Sequence, residues 1–491
     1  MAPLKSKLSL TRPFNQNFLV ACMLFCLPGI YTALTGLGAG GGRPGSADVA
    51  NKTNAILYGL LAFVGLFGGS ILNILRPKVS LMVGAIGYPL YVGGLWYFDT
   101  TGNSWFPLMS GAILGITGGF LWTSAAYVQF SYAEEKSKGL WSMRSLGAIV
   151  GSSISLSLNI DQVKPVGVSA PVYIAFIVIH SAAFFIALFF IIHPSKVVRD
   201  DGTHIALFRK ASLWTELKAT AKTLLDWRYL LLAPAQIVCE MALGLMSSVN
   251  GECLGSTRCR GSTNSRKARY FNLRTRSVNN LAYQAIQVFV PGLLTCVLDS
   301  RHIKSRRTRG LIGIAIMGSV AIGASSGLIG WLEVNHVDSL DAPAGADWHD
   351  PEWPGLFICY VLFGSIYSGY QMCTEWVLSA TTNDPEALAR VAGMFKFYSS
   401  VGMMLSFILA GERVRFLWQV LLQLVLYALG IAGIVWVLIF HIKESNYFLE
   451  ENVIAPASTE AKRNQEGLEG PYVDGYAVED ASPREVTDEK K

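Results

Sequence analysis

The sequence predicts an all-α membrane protein with about twelve transmembrane helices in two six-helix halves. Three observations carry that prediction. Of 491 residues, 52% are hydrophobic and only 15% charged, against roughly 25% charged in an average soluble domain. The apolar residues gather into runs close to the ~20 residues that a hydrocarbon core of about 30 Å requires. A polar, basic stretch at 193–227 divides those runs six from six. The same composition excludes a disordered chain, and the 48 glycines follow no collagen period.

The elements follow in order. A polar start containing Lys5, Lys7 and Arg12 leads into an apolar run, 18–37. This run is longer than a signal-peptide core and lacks a small-residue cleavage site, so it reads as a retained first span. Further spans are expected near 54–75, 80–98, 105–130, 143–158 and 171–192, completing a first half over 1–192. The fifth, rich in Ser and Gly, is the weakest. After the cytosolic linker, 193–227, a second half over 228–443 contains spans near 228–249, 280–298, 310–332, 355–378, 392–410 and 417–441. The tail, 444–491, has twelve acids and five bases, which leaves +13 on the preceding part of a chain of net charge +6. It reads as a disordered acidic extension.

Loop charge sets orientation. With a cytosolic N-terminus, the inside loops hold Arg76 and Lys78, then Lys136 and Lys138, then the linker, then Arg301, Lys304, Arg306, Arg307 and Arg309. The outside segment 333–353 has no base and carries Glu333, Asp338, Asp341, Asp347, Asp350 and Glu352. This satisfies the positive-inside rule and leaves both termini in the cytosol. The single Asn-x-Ser/Thr triplet, Asn51-Lys52-Thr53, falls in the expected first outside loop and makes Asn51 a candidate glycosylation acceptor. Basic clusters in such loops suit lipid headgroups rather than nucleic acid.

Two six-span halves around a cytosolic linker resemble the major facilitator superfamily, whose halves are parallel repeats. The loop with Asn73, Arg76 and Lys78 and the loop with Asp299, Arg301, Arg306, Arg307 and Arg309 are similar to degenerate copies of that superfamily's cytosolic gate motif. The first has Asn73 where the family usually has Asp. A closer resemblance rests on the stretch from Pro28 through Gly42, on Gly87-Tyr88-Pro89-Leu90-Tyr91, Gly119-Phe120-Leu121-Trp122, Ser305 to Arg309, and on Tyr270-Phe271-Asn272-Leu273-Arg274-Thr275-Arg276. These are similar to the Unc-ninety-three-like branch in its fungal form, over roughly residues 13–445. The resemblance implies a transporter fold without assigning a cargo, and some animal relatives regulate channels or escort receptors. One departure is 251–269, which adds five bases to an expected outside loop. It reads as an atypical insert of the kind a retained intron produces. If it is translated, either Cys253 and Cys259 pair in an oxidising lumen or the segment is a disordered basic loop. The other six cysteines, including Cys239 and Cys373, sit in apolar runs as buried thiols.

Ionisable and amide residues within spans are the candidates for mechanism, because burying them is costly. Glu240 lies mid-span with Gln236 one turn earlier on the same face. It reads either as a proton-binding carboxylate facing a central cavity or as a structural acid paired with a base from another helix. Gln371 and Glu375 share a stripe near a cytosolic end, where a gate or anchor is expected. Lys396, early in the eleventh span, is positioned to snorkel or to neutralise Glu375. Arg144 opens the fifth span, by default as a loop anchor. Asn280, Gln284 and Gln287 form a further polar stripe, for solute or for helix adhesion. Glycines at four-residue spacing, including Gly111, Gly115 and Gly119, Gly147 and Gly151, and Gly323 and Gly327, suit close helix packing. Pro28 and Gly29 are expected to kink the first span. No nucleotide, metal or nucleophile motif is apparent, so neither a cofactor nor an enzymatic activity is expected. The leading expectation is secondary transport of a small solute, coupled to protons through Glu240. The alternative is a non-transporting membrane regulator with a stable protein partner.

Overall fold

The computed structural model describes residues 9–37, 45–131, 143–161, 168–198, 213–251, 271–300, 302–335, 346–382 and 385–443. The insert at 251–269 beyond Gly251, with Cys253 and Cys259, and the tail 444–491 lie outside the described residues, as do Lys136, Lys138 and Arg301. The structure is helical. The first half comprises α1 (Pro13–Gly36), α2 (Ser46–Leu66), α3 (Gly68–Thr101), α4 (Trp105–Ser131), α5 (Met143–Asn159) and α6 (Ala170–Phe190). The second comprises α7 (Ala233–Gly251), α8 (Leu273–Leu298), α9 (Arg306–Val334), α10 (Trp353–Ser379), α11 (Pro385–Gly411) and α12 (Phe416–Phe440). Two linker helices, Leu213–Leu225 and Trp227–Leu231, precede α7. Among the described residues the only β pairing is an isolated bridge, Phe271 to Ala346.

Ten of these helices are long and apolar enough to cross a membrane. The other two, α5 and α7, are the polar ones. α5 has 17 residues with five serines, and α7 carries Gln236, Glu240, Ser247, Ser248 and Asn250. α7 sits inside the bundle, whereas α5 exposes Leu146, Val150 and Leu158. Every residue of α7 from Val238 to Gly251 is buried. A helix surrounded by other helices does not need a lipid-facing apolar surface. The outer helices do: α6 turns Val178, Phe185 and Phe189 outward, and α12 turns out Val425, Leu429 and Trp436. Such apolar surface suits acyl chains and would be untenable in water.

Helices start and stop for local reasons. Asn272 caps α8 by accepting from the Thr275 N–H at 2.9 Å, and Asp226 caps the short linker helix through the Arg228 N–H. Gly102, at φ 81°, closes α3 in the left-handed region. α3 bends at Arg76, whose φ of 61° precedes Pro77; a residue before proline is driven out of the helical region. Pro28 produces a π-turn, Phe25–Gly29, inside α1, because proline removes an amide donor and displaces the carbonyl one turn before it. Pro28, expected to kink the first span, lies within this turn.

Between the halves, α2 packs on α11, α5 packs on α8, and the outer end of α1 meets α7 and α8. Advancing each helix by six positions turns the α2–α11 pair into the α8–α5 pair, which is the relation expected of parallel repeats. Glycines set several of these approaches. A Cβ on Gly147 of α5 would overlap the Phe25 carbonyl at the π-turn, and one on Gly402 of α11 would overlap the Ile237 carbonyl of α7. Gly111, Gly115 and Gly119 press α4 onto Thr53, Leu57 and Val64 of α2. Gly323 and Gly327 differ: nothing lies within 4 Å of a Cβ built on either, so they face away from neighbouring helices and do not serve close packing.

Candidate functional site

A narrow cavity lies where the two halves meet. Pro28, Tyr31 and Thr32 of α1, Tyr58 of α2, Trp122 of α4 and Arg144 of α5 line one side; Glu240 of α7, Tyr367 of α10 and Lys396 of α11 line the other. Its free volume is about 40 Å³, room for a few water molecules. Lys396 Nζ donates to both carboxylate oxygens of Glu240, at 2.9 and 3.2 Å. The glycine contact between α7 and α11 brings these side chains within reach. The pair is unequally accessible, with the Glu240 side chain 4% exposed and that of Lys396 20%.

Trp122 organises the rest of the site. Lys396 Nζ stands 5.0 Å from its ring centroid, and the Arg144 guanidinium carbon stands 5.6 Å from the same centroid. Arg144 is also 6.0 Å from the Tyr367 ring. Cation–π contacts of this kind contribute about 0.5–2 kcal/mol. Among the described residues, Arg144 has no acidic group within ion-pair distance. Glu375 interacts with it electrostatically, but its Oε1 accepts from Gln371 Nε2 at 2.8 Å. Glu375 is exposed, near the end of α10. Accessibility therefore rises from Glu240 through Lys396 to Glu375, toward the end of the bundle where α1 and α7 begin. Deeper in the first half, Asn54 Oδ1 accepts from Tyr91 at 2.6 Å and Tyr31 at 3.1 Å, fixing the Tyr31 ring at the cavity wall.

The opposite end is closed by a dry polar clamp. The last carbonyls of a helix have no partner within it, and those of α1 are satisfied from the other half. Asn280 Nδ2 donates to the Ala33 carbonyl at 2.7 Å and to Ser152 Oγ at 3.1 Å. Asn250 Nδ2 donates to the Gly36 carbonyl at 3.0 Å, and Gln284 Nε2 to the Thr32 carbonyl at 3.3 Å. The guanidinium of Arg276, fully buried, donates to the Leu37 carbonyl through Nε at 3.1 Å and through a terminal nitrogen. A cation at a helix C-terminus also meets the negative end of the helix dipole. Gly36 permits this: a Cβ there would overlap the Asn280 side chain. Outside the clamp, Asp347 accepts from Arg274, Asn272 and Thr275, which holds its carboxyl well below the usual carboxylate range.

The sequence candidates divide accordingly. Glu240, Lys396 and Arg144 converge on the cavity, whereas Glu375 and Gln371 bond to each other outside its lining. Lys396 pairs with Glu240 rather than neutralising Glu375, because α11 lies against α7. Gln236 donates to the Tyr229 carbonyl at 3.4 Å and braces the linker instead of lining the cavity. Asn280 and Gln284 belong to the clamp, and Gln287 bonds to Gln284 at 3.0 Å along the same helix. Of the loop residues, Arg76 meets His193 at 3.0 Å, Arg307 donates to the Ile442 carbonyl at 2.6 Å, and Arg306 lies over Trp376. These contacts brace each half internally. Asp299 caps the end of α8, Lys78 is half-buried, and the side chain of Asn73 lies outside the described residues. Asn51 requires correction: α2 begins at Ser46, so Asn51 is helical and 7% exposed rather than in a loop. A buried helical amide is not presented for glycosylation. Sequence reasoning did not select Trp122, Tyr367, Tyr31 or Arg276 as site residues; an arginine in an apolar helix was the signal available for Arg276. Among the described residues, no group of three His, Cys, Asp or Glu is arranged to hold a metal.

Comparison with known proteins gives a consistent neighbourhood. The family model described as ion channel regulatory protein UNC-93 matches residues 51–267. An uncharacterized membrane protein of Schizosaccharomyces pombe is 39% identical over 409 residues, covering 82% of this chain and 80% of its own length. UNC93-like protein 1 of Arabidopsis thaliana is 29% identical over 452 residues, covering 90% and 93%. Among solved structures, the nucleoside transporter NupG superposes with a TM-score of 0.51 at 12% identity, covering 87% of this chain and 98% of that one. The D-xylose-proton symporter does so with a TM-score of 0.50 at 11% identity, covering 87% and 97%. At these identities the likeness is one of fold.

Proposed function

The chain belongs to the UNC-93 family and is a multi-pass membrane protein of major facilitator fold; from that premise we propose that it is a secondary transporter of a small solute, working by alternating access and coupled to protons through Glu240. The observation that carries the reading is the Glu240–Lys396 pair, set in a cavity lined by both halves. Protonating Glu240 would dissolve its pairing with Lys396, and the α7–α11 contact would then lose its ionic tie. A titratable pair across moving helices is a means of linking proton occupancy to conformation. On this reading the cavity opens toward the end where α1 begins, the side on which Lys396 and Glu375 are the more exposed, and the clamp closes the other. A cytosolic N-terminus, supported by the basic loops at Arg76, Lys78 and Arg306 to Arg309, makes this an inward-facing arrangement. At its present volume the cavity admits a solute only when the lining helices part.

The test is uptake into proteoliposomes under an imposed pH gradient, with Glu240→Gln beside the native chain. We expect saturable uptake that rises with the gradient in the native protein and loses its pH dependence in the variant. A variant whose uptake keeps the native pH dependence would remove Glu240 from the coupling role. The family model's description favours a second reading, regulation of a membrane-protein partner. It predicts a stable co-purifying membrane protein and no solute flux.

A further inference from the structure

We infer that the solute is an organic anion whose carboxylate is held between Arg144 and Lys396, with its body against Trp122 and the neighbouring tyrosines. The inference rests on the transporter reading above and specifies the class of cargo. Its starting point is the charge of the cavity wall. Arg144, Lys396 and Glu240 line the cavity, two cations to one anion. Glu240 is engaged by Lys396. Arg144, held over Trp122 and Tyr367, has no acidic group within ion-pair distance among the described residues.

The other charged group near Arg144 is Glu375. Its carboxylate is engaged by Gln371 at 2.8 Å and is not among the groups that line the cavity. The remaining titratable groups facing the site, Tyr31, Tyr58, Tyr88 and Tyr367, are neutral phenols at physiological pH. A cationic solute would therefore meet a lining with a surplus positive charge, and a neutral solute would leave Arg144 with the Tyr367 hydroxyl and the faces of Trp122 and Tyr367. A carboxylate would complete it. Charge-assisted, bidentate bonds to a guanidinium are stronger than the cation–π contacts they would replace. Both cations stand within 6 Å of the Trp122 centroid and both line the cavity, which is where the carboxylate is set. The aromatic wall of Tyr58, Tyr88, Trp122 and Tyr367 then suits a flat apolar body. With Glu240 protonated, Lys396 is free to join Arg144, and one proton enters with one monoanion.

The test uses matched probes that differ only in head group: acetate and benzoate, acetamide and benzamide, methylammonium and benzylammonium. Binding to the full chain in detergent is read as a saturable shift in Tm, and uptake into proteoliposomes is scored separately. We expect the carboxylates, benzoate above acetate, to raise Tm, and the amides and ammonium ions to leave it unchanged. Arg144→Gln should weaken the benzoate response at least tenfold, and Arg144→Lys should retain part of it, each shift read against the unliganded Tm of the same variant. An equal response to an amide or an ammonium ion would overturn the anion site, as would a response to none of the six, or an undiminished benzoate response in a folded Arg144→Gln protein. If Arg144→Gln does not fold, the Arg144→Lys protein and the six-probe comparison on the native chain decide the matter alone. Carboxylate binding without uptake would overturn transport and leave the anion site standing. Uptake of a neutral or cationic probe would do the reverse.

Discussion

Asp347 shows how much a single side chain outside the membrane can tie together. Its carboxylate joins the start of α8 to the segment leading into α10, by bonds from Arg274, Asn272 and Thr275. Because those bonds hold its folded pKa below the value of about 3.9 expected when unfolded, its contribution is complete above that value and is lost as the pH falls below it. Asp347→Asn should therefore have a lower Tm at neutral pH and a flatter profile between about pH 5 and 3. Thermal unfolding across that range checks this, and parallel profiles would assign the acid sensitivity to other groups. Residue-scale legibility was uneven. Glu240 was visible as a lone carboxylate in an apolar run. Its partner Lys396, 156 positions later, was not, because pairing depends on which helices touch. Arg276 reaches the Leu37 carbonyl across 239 positions, and a backbone acceptor leaves no trace in residue type.

At the scale of elements, hydropathy located helices better than it located their ends. The expected span at 105–130 and the observed α4 (Trp105–Ser131) nearly coincide, whereas the expected 54–75 became α2 (Ser46–Leu66). Helices continue past the apolar window wherever caps and packing permit, and the eight residues gained by α2 carry Asn51 into a buried face. Glycine spacing was legible as a pattern, but its meaning depends on what lies opposite. Gly147→Ala should destabilise by about 1–3 kcal/mol, since its Cβ would meet a backbone carbonyl that has little freedom to move. Gly323→Ala, with open space around it, should be neutral or stabilising by up to about 1 kcal/mol. Tm measurements on the two variants compare them directly. A Gly147→Ala protein as stable as Gly323→Ala would show that helix propensity, and not contact, governs both.

For the whole molecule, the fold class and the division into halves were readable from composition and from the central linker. Which end is closed was not, because the clamp is assembled from α1, α5, α7 and α8 together. Charge-assisted hydrogen bonds contribute about 1.5–3 kcal/mol each, and about 1.4 kcal/mol corresponds to a tenfold change in population. Leu37→Cys, in a chain whose native cysteines are replaced by serine, should react slowly with an impermeant maleimide. Adding Arg276→Gln should raise that rate by about tenfold or more. An unchanged rate in a folded protein would locate the seal elsewhere.

The π-turn at Phe25–Gly29 gives α1 two helical phases. Each residue of an α-helix advances the chain by about 100°, and a π-turn absorbs one residue beyond the α count. The segment before it, Pro13–Leu24, is phased toward its own half, where Gln16 donates to the Phe190 carbonyl at 3.0 Å. The segment after it, Ile30–Gly36, is phased toward the other half, offering its carbonyls to Asn280, Asn250 and Gln284. Deleting any one residue of the turn would leave span length and hydropathy almost unchanged. It would also rotate the outer turns by about 100°, so that every carbonyl taken by the other half would miss its donor.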